Sequence, residues 1–403
     1  MIIRNYCQCT VCQKKLLLRT GIGLESKYSH TFDCPACFTP LTVDAIVDIP
    51  PSAWVEMREN IVEIEVDPDI NTCVNLHPSV AFRLDEYHSP MTFASIEHVN
   101  LISSFMRVPA NEKFKDASIH FEVPYTQQVW ILVKSVLTLT IKGDPAAVLN
   151  KQVAEYEIQR QKHAPHFLCK TAFKCVASFF DDIFYPAIGD LRNPLKKFIS
   201  TLKQTHCIEL SNFETYYINE LQQSNLERYL SIFNDYFRYF DQLRQMLVHA
   251  RIGSDDVDDF VVGSKRFDEI KLYYGQAYET LTSSYVTLAC LNNIAQNRKY
   301  DAFKEMTLNK YIKDVDKSKK ANAFKECTEL AAFTKFEDSS LRNGSHHASI
   351  KRQGEIVVFR SGGTGAEHNI SYSNYIHKCN GITIALAALF LVELEMFSDF
   401  RPR

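Results

Sequence analysis

Near the C-terminal end of the chain, "LRNGSHHASI" sets Arg342, Asn343, His346 and His347 within six residues. A guanidinium is a permanent cation with a planar fork of donors, and an imidazole exchanges a proton near neutral pH. Together they suit chemistry at a phosphate, where one group holds the oxygens and the other moves a proton. The same residue types also suit a polar loop that caps a helix and catalyses nothing. A second constellation lies at the other end. "CTVC" supplies Cys9 and Cys12, and "CPAC" supplies Cys34 and Cys37, with 21 residues between the pairs. Two knuckles of that spacing gather four thiolates around one tetrahedral zinc. Four sulfur ligands leave no open coordination position, so the metal is structural. Cys7 and His30 stand nearby as alternative ligands, and a redox or free-thiol role for the two pairs is the competing reading.

Bare Arg-to-His spacing is common, so the elements that carry it must discriminate. Arg83 and His88 flank two acidic residues in "RLDEYH", which suits a phosphate poorly. Arg160 and His166 straddle Pro165 and read as ordinary polarity at a helix end. Arg244 and His249 fall inside a strong helical pattern, where five residues at about 100° each put them about 140° apart. Arg244 is therefore expected at the surface, and His249 near a helix C-terminus, where a cation suits the dipole. Arg342 differs. "ELAAFTKFEDSSLRN" predicts a helix that stops at Gly344, the residue preferred for a left-handed end. The chain would then turn so that His346 or His347 folds back toward Arg342. A hairpin, "SIKRQGEIVVFRS", with Gly354 in its turn, and the loop "SGGTG" follow.

Composition sets the outer bounds. The chain has 403 residues, 46% of them hydrophobic, which is ample for two or three packed domains. Net charge is −3, so contact with nucleic acid has to come from local basic patches. One such patch spans 298–325, with nine basic and four acidic residues just before Arg342. It reads either as a solvated face or as a phosphate-attracting surface. Five of the twelve cysteines lie within the first 37 residues and the rest are scattered. That distribution fits reduced thiols in a cytoplasmic setting better than a disulfide scaffold. The longest apolar run, Ile382 to Val392, has eleven residues, short of the roughly 20 needed to cross a bilayer. No membrane partner is expected.

Three regions are predicted: a zinc ribbon with four cysteine ligands over 1–47, a mixed α+β region of unassigned role over 48–146, and a helical domain over 147–403. In the middle region "NIVEIEV", "VNLHPSVAFRL" and "SIHFEV" are strand candidates, and "YTQQVWILVKSVLTLTI" fits helix or strand. Residues 224–250 predict one long helix with a capping box at Ser224 and Glu227. Two more long helices are predicted over 267–300 and 373–397. The last is apolar almost all round, as befits a bundle centre or a subunit interface.

The motif Arg342–His347, with Asn343 directly after the arginine, resembles the Arg-x4–6-His motif of the HEPN superfamily. That resemblance implies a mainly α fold: a C-terminal HEPN-like helical bundle, here with an inserted β-hairpin, preceded by the α+β region and the zinc ribbon. It implies a metal-independent RNA endonuclease, in which the 2′-hydroxyl attacks the adjacent phosphate and leaves a 2′,3′-cyclic phosphate. His347 would do the acid–base work, Arg342 would clamp the phosphate, Asn343 would orient either, and His346 would be a substitute base. It further implies a homodimer, with the apolar last helix as its face, acting as an anti-phage, abortive-infection or toxin effector under an inhibitor or trigger protein. The alternative is a non-catalytic adaptor of the same fold that binds nucleic acid or protein through the ribbon.

Overall fold

The computed structural model describes residues 1–48, 52–93, 96, 123–143, 146–164, 168–346, 349–361 and 365–397. Alternating apolar residues build the N-terminal third. Strand β1 (Ile2–Cys9) pairs antiparallel with β2 (Lys15–Gly21), and β3 (Lys27–Asp33) pairs with β4 (Pro40–Val47). A two-stranded hairpin buries too little to stand alone. Later strands complete both. β5 (Ala53–Glu59) adds to β4, β6 (Ile61–Glu63) adds to β1, and β7 (Cys73–Leu76) runs parallel beside β2. The resulting sheets, β6-β1-β2-β7 and β3-β4-β5, share one core of residues such as Leu16, Leu18, Phe32, Leu41 and Val74. β8 (Phe82–Arg83) pairs with β9 (Phe260–Val261) and ties this unit to the helices.

These pairings correct the mainly α expectation. Helix makes up 55% of the described residues, but four separate sheets are present among them, and the strands after Pro51 extend the ribbon's own hairpins. The chain is α+β. The expected inserted hairpin is also larger than predicted. β10 (Ile350–Gln353), β11 (Ile356–Arg360) and β12 (Glu367–Ser371) form a three-stranded antiparallel sheet, with Gly354 at φ 60° in the first turn. The strand candidate "SIHFEV" lies outside the described residues except for Val123.

The ambiguous segment is helix α1 (Thr126–Lys142), which buries Val129, Trp130, Val133, Val136 and Leu137 at three- and four-residue steps. It ends at Gly143, whose φ of 68° places it in the left-handed region. Helices α2 (Ala146–Gln161), α3 (Ala172–Phe184) and α4 (Ala187–Thr205) follow, then α5 (Cys207–Tyr216). The helix expected over 224–250 is broken. A π-helical turn, Tyr217–Leu221, runs directly into α6 (Gln222–Arg238), and the chain breaks at Tyr239 into three short helical segments. Because the backbone is already helical before Ser224, no capping box forms there. Ser224 Oγ instead donates to the Leu221 carbonyl at 3.1 Å. The break also turns Arg244 inward, against Glu25 at 3.3 Å and over the Tyr28 ring, so it is not a surface residue. His249 is buried too, and burial pushes its pKa down to about 4, so it carries no charge for the helix end.

Two long helices hold the interior. α7 (Tyr273–Ala295) packs against α9 (Tyr372–Met396), and α9 also packs against α4; the short α8 (Ser339–His346) lies beside α7. Helix α9 is long and apolar enough to cross a bilayer, but 89% of its most apolar window is buried by the rest of the chain. Ile382–Val392 is therefore internal core, which rules out α9 as the dimer face expected from its composition. A fully buried carboxylate, Glu393, directly follows this run. Glu393 accepts from Thr287 Oγ1 at 2.5 Å, Tyr217 OH at 3.0 Å and Asn225 Nδ2 at 3.3 Å. Burial outweighs these donors and pushes its pKa from 4.5 up to about 7. The folded chain thus holds this proton more tightly than the unfolded chain. The resulting stability is fully present below about pH 4.5 and is lost as pH rises through about 7. In urea melts from pH 4.5 to 7.5, Glu393→Gln should remove a decline on the order of 3 kcal/mol relative to wild type.

Candidate functional site

Helix α8 begins where Asp338 Oδ1 accepts the Leu341 amide at 3.0 Å, and it continues to His346. Gly344 does not end it. The glycine is needed for contact: a Cβ there would lie 2.8 Å from Phe359 Cβ on β11. A second glycine, Gly275 on α7, sits where a Cβ would come within 3.0 Å of Ser345 Cβ and 3.4 Å of the His346 ring. These two close approaches wedge α8 between α7 and the β10–β12 sheet. Gly344→Ala should cost about 1–3 kcal/mol in denaturant melts, because Phe359 cannot yield without disturbing the sheet.

The wedge brings Arg342 to Glu279, one turn along α7 from Gly275. Arg342 Nε donates to Glu279 Oε1 at 2.5 Å, and Nη2 contacts the same oxygen. Nη1 donates to Asn343 Oδ1 at 2.8 Å, so the asparagine orients the guanidinium. His346, one helical turn after Arg342, places Nε2 3.8 Å from Glu279 Oε1. From the lysine-rich stretch, Lys317 Nζ contacts Glu279 Oε2 and donates to Ser283 Oγ at 2.9 Å. Partial burial raises the Glu279 pKa, but Lys317 and Arg342 together outweigh it and hold the carboxyl below its usual value. Side-chain exposures of 30% for Arg342, 40% for His346 and 32% for Lys317 leave the three basic groups open to solvent around a carboxylate that is 23% exposed.

Arg342, Asn343 and His346 are thus brought together on one helix, with no backward fold of the chain. His347 lies outside the described residues. Glu279 and Lys317 are the members that the motif did not name. The rest of the basic stretch divides. Lys310, Lys313, Lys319 and Lys325 are exposed, whereas Lys320 is buried, with Nζ 3.2 Å from the Ile312 carbonyl. Burial pushes its pKa down to about 8. Among the described residues, the rival arginines and histidines are not gathered in this way, and His166 lies outside those residues. Arg83 pairs with Asp256 at 2.9 Å, while His88 Nδ1 meets the Cys73 carbonyl at 2.8 Å. Arg160 is not helix-end polarity but half of a buried ion pair, Nε to Asp182 Oδ2 at 2.7 Å.

At the other end, the sulfurs of Cys9, Cys12, Cys34 and Cys37 all lie within 4.8 Å of one another. Cys9–Cys37 and Cys12–Cys34 are 3.8 and 3.6 Å apart. Four sulfurs at about 2.3 Å from a tetrahedral ion would stand about 3.8 Å apart, so the set fits a metal ion. The two knuckles share one geometry. In each, the residue after the second cysteine is left-handed, Gln13 at φ 63° and Phe38 at φ 61°, and its amide donates to the first cysteine's carbonyl. Hydrogen bonds from Thr39 hold the Cys37 thiol down at about 6, whereas burial pushes the Cys34 thiol up. Cys7 stands outside the cluster beside the Leu16 carbonyl, and burial pushes its thiol up to about 12. His30 is enclosed in the protein interior, with its pKa pushed down to about 3 by burial.

None of the protein-family models, curated proteins or solved structures compared with this chain matches it. The functional reading therefore rests on the two constellations themselves.

Proposed function

We propose that the chain is a metal-independent RNA endonuclease, as the resemblance to the HEPN superfamily implies, with Arg342 clamping the phosphate and a histidine moving the proton. The convergence of Arg342, His346 and Lys317 on a single carboxylate carries this reading: three basic groups already surround a position suited to an oxyanion. RNA supplies its own nucleophile, the 2′-hydroxyl, so the protein has only to orient the phosphodiester, shift a proton and neutralise developing charge. His346, on the face of Arg342, is the better placed acid–base group among the described residues, and His347 is the one that the motif names. One site offers one arginine, so a homodimer would furnish the second acid–base partner, through a surface other than α9. The metal in the cysteine cluster is zinc, and its role is structural. A cytoplasmic defence or toxin effector, restrained by an inhibitor or released by a trigger protein, is the biological role that accompanies this chemistry.

One observation favours a second reading. Arg342 is already engaged by Glu279, as in a structural ion pair, and a non-catalytic RNA- or protein-binding adaptor would show the same arrangement. The test is to incubate the purified protein with a structured RNA in magnesium-free buffer, alongside Arg342→Ala, His346→Ala and His347→Ala. Cleavage by wild type that is lost in Arg342→Ala and in one histidine variant supports the nuclease and identifies the base. Intact RNA that stays bound to wild type supports the adaptor.

A further inference from the structure

We propose that Glu279 is a built-in competitor for the substrate phosphate, and that Lys317 becomes a second phosphate contact once Glu279 is displaced. This rests on the nuclease reading for its substrate class. The division of contacts motivates it. Oε1 of Glu279 takes Arg342 and faces His346, while Oε2 takes Lys317. A phosphodiester also offers two equivalent charged oxygens, so it can replace the carboxylate partner for partner. The three basic side chains are each more exposed than the carboxylate they surround, so an incoming anion meets them from solvent. Glu279 is also the sole charged residue of the 23-residue helix α7. Its place there is fixed by Gly275 and Gly344, whose missing side chains let α8 come close enough for the pair to form. A carboxylate so placed keeps the cations assembled and lowers affinity for any outside phosphate.

The experiment measures binding of a short single-stranded DNA oligonucleotide, which presents the phosphates but lacks the 2′-hydroxyl and stays intact. Glu279→Gln should tighten binding roughly tenfold, since it removes the competing charge and keeps the shape. Asp316→Asn is the control. Asp316 feels the Arg342 charge but does not contact it, and its loss should change affinity much less. Lys317→Ala should weaken binding to wild type and remove most of the gain in the Glu279→Gln background. Unchanged or weaker binding by folded Glu279→Gln overturns the proposal, as does an equal gain in Asp316→Asn. Either result, with RNA still cleaved by wild type, leaves the nuclease reading intact. A tenfold gain with no variant able to cut RNA would sustain Glu279 as competitor on an anion site and end the nuclease reading.

Discussion

The Cys9–Cys12–Cys34–Cys37 cluster should hold a metal ion whose removal unfolds the N-terminal β unit while the helices remain folded. No strand of β6-β1-β2-β7 hydrogen-bonds to a strand of β3-β4-β5 among the described residues. The knuckle between β1 and β2 and the knuckle between β3 and β4 are held together at their tips through the four sulfurs. Their shared core is small, as a structural metal site in so short a segment requires. Metal binding in such sites is worth about 10–16 kcal/mol, and most of it is folding free energy. Cys34→Ser should therefore lower the stability of this unit by more than about 5 kcal/mol and release its metal. Metal content together with urea melts followed by far-ultraviolet circular dichroism reads this. Wild-type melts in Cys34→Ser would mean that the cluster holds no structural ion. The β unit is also anchored from outside, because Arg352 on β10 grips Asp33 at 2.7 and 3.1 Å, just before Cys34. Loss of the metal should thus loosen the sheet that backs α8.

Arg342→Ala should reduce RNA cleavage by about 10²–10³-fold, the usual loss when one donor to a developing oxyanion is removed. The fold should hardly notice. The Arg342–Glu279 pair is partly exposed and solvent-screened, so its removal should cost no more than about 1 kcal/mol in melts. Arg342→Lys is the sharper variant. Lysine keeps the charge but lacks the planar fork that lets Nε and Nη2 share one oxygen while Nη1 reaches Asn343, so it should restore little activity. Activity lost in parallel with stability would instead mark Arg342 as a structural residue. Steady-state cleavage rates beside melts of the same preparations separate the two.

The cysteine cluster was legible because its four thiols lie in two local repeats, each closed by a left-handed residue next in sequence. The candidate site was half legible. Arg342 and Asn343 belong to the motif, and His346 is on the same helix one turn on, where the sequence offered it only as a substitute base; His347, which the motif names, lies outside the described residues. Glu279 lies 63 residues away, and Lys317 looked like one lysine among many. A signal for Glu279 did exist: it is a lone charge in a long apolar helix, where a carboxylate needs a partner. Gly344 misled, because a glycine near a helix end usually marks the stop, whereas here it makes room for Phe359. The break at Tyr239 and the internal place of α9 were hidden for another reason. An apolar stripe shows that a helix is covered but not by what, and in this chain the cover is its own α4 and α7. β6 and β7, at three and four residues, were too short to stand out, and nothing in the residues of β5 says which hairpin it completes.

A single substrate decides whether the Arg342 site performs 2′-hydroxyl attack. It is an RNA oligonucleotide carrying one 2′-deoxy sugar immediately 5′ of the linkage that the protein cuts, compared with its all-ribose parent in magnesium-free buffer. The parent should be cut to a 2′,3′-cyclic phosphate, and the modified linkage should survive. Cleavage at the deoxy linkage at the parent's rate would contradict the mechanism.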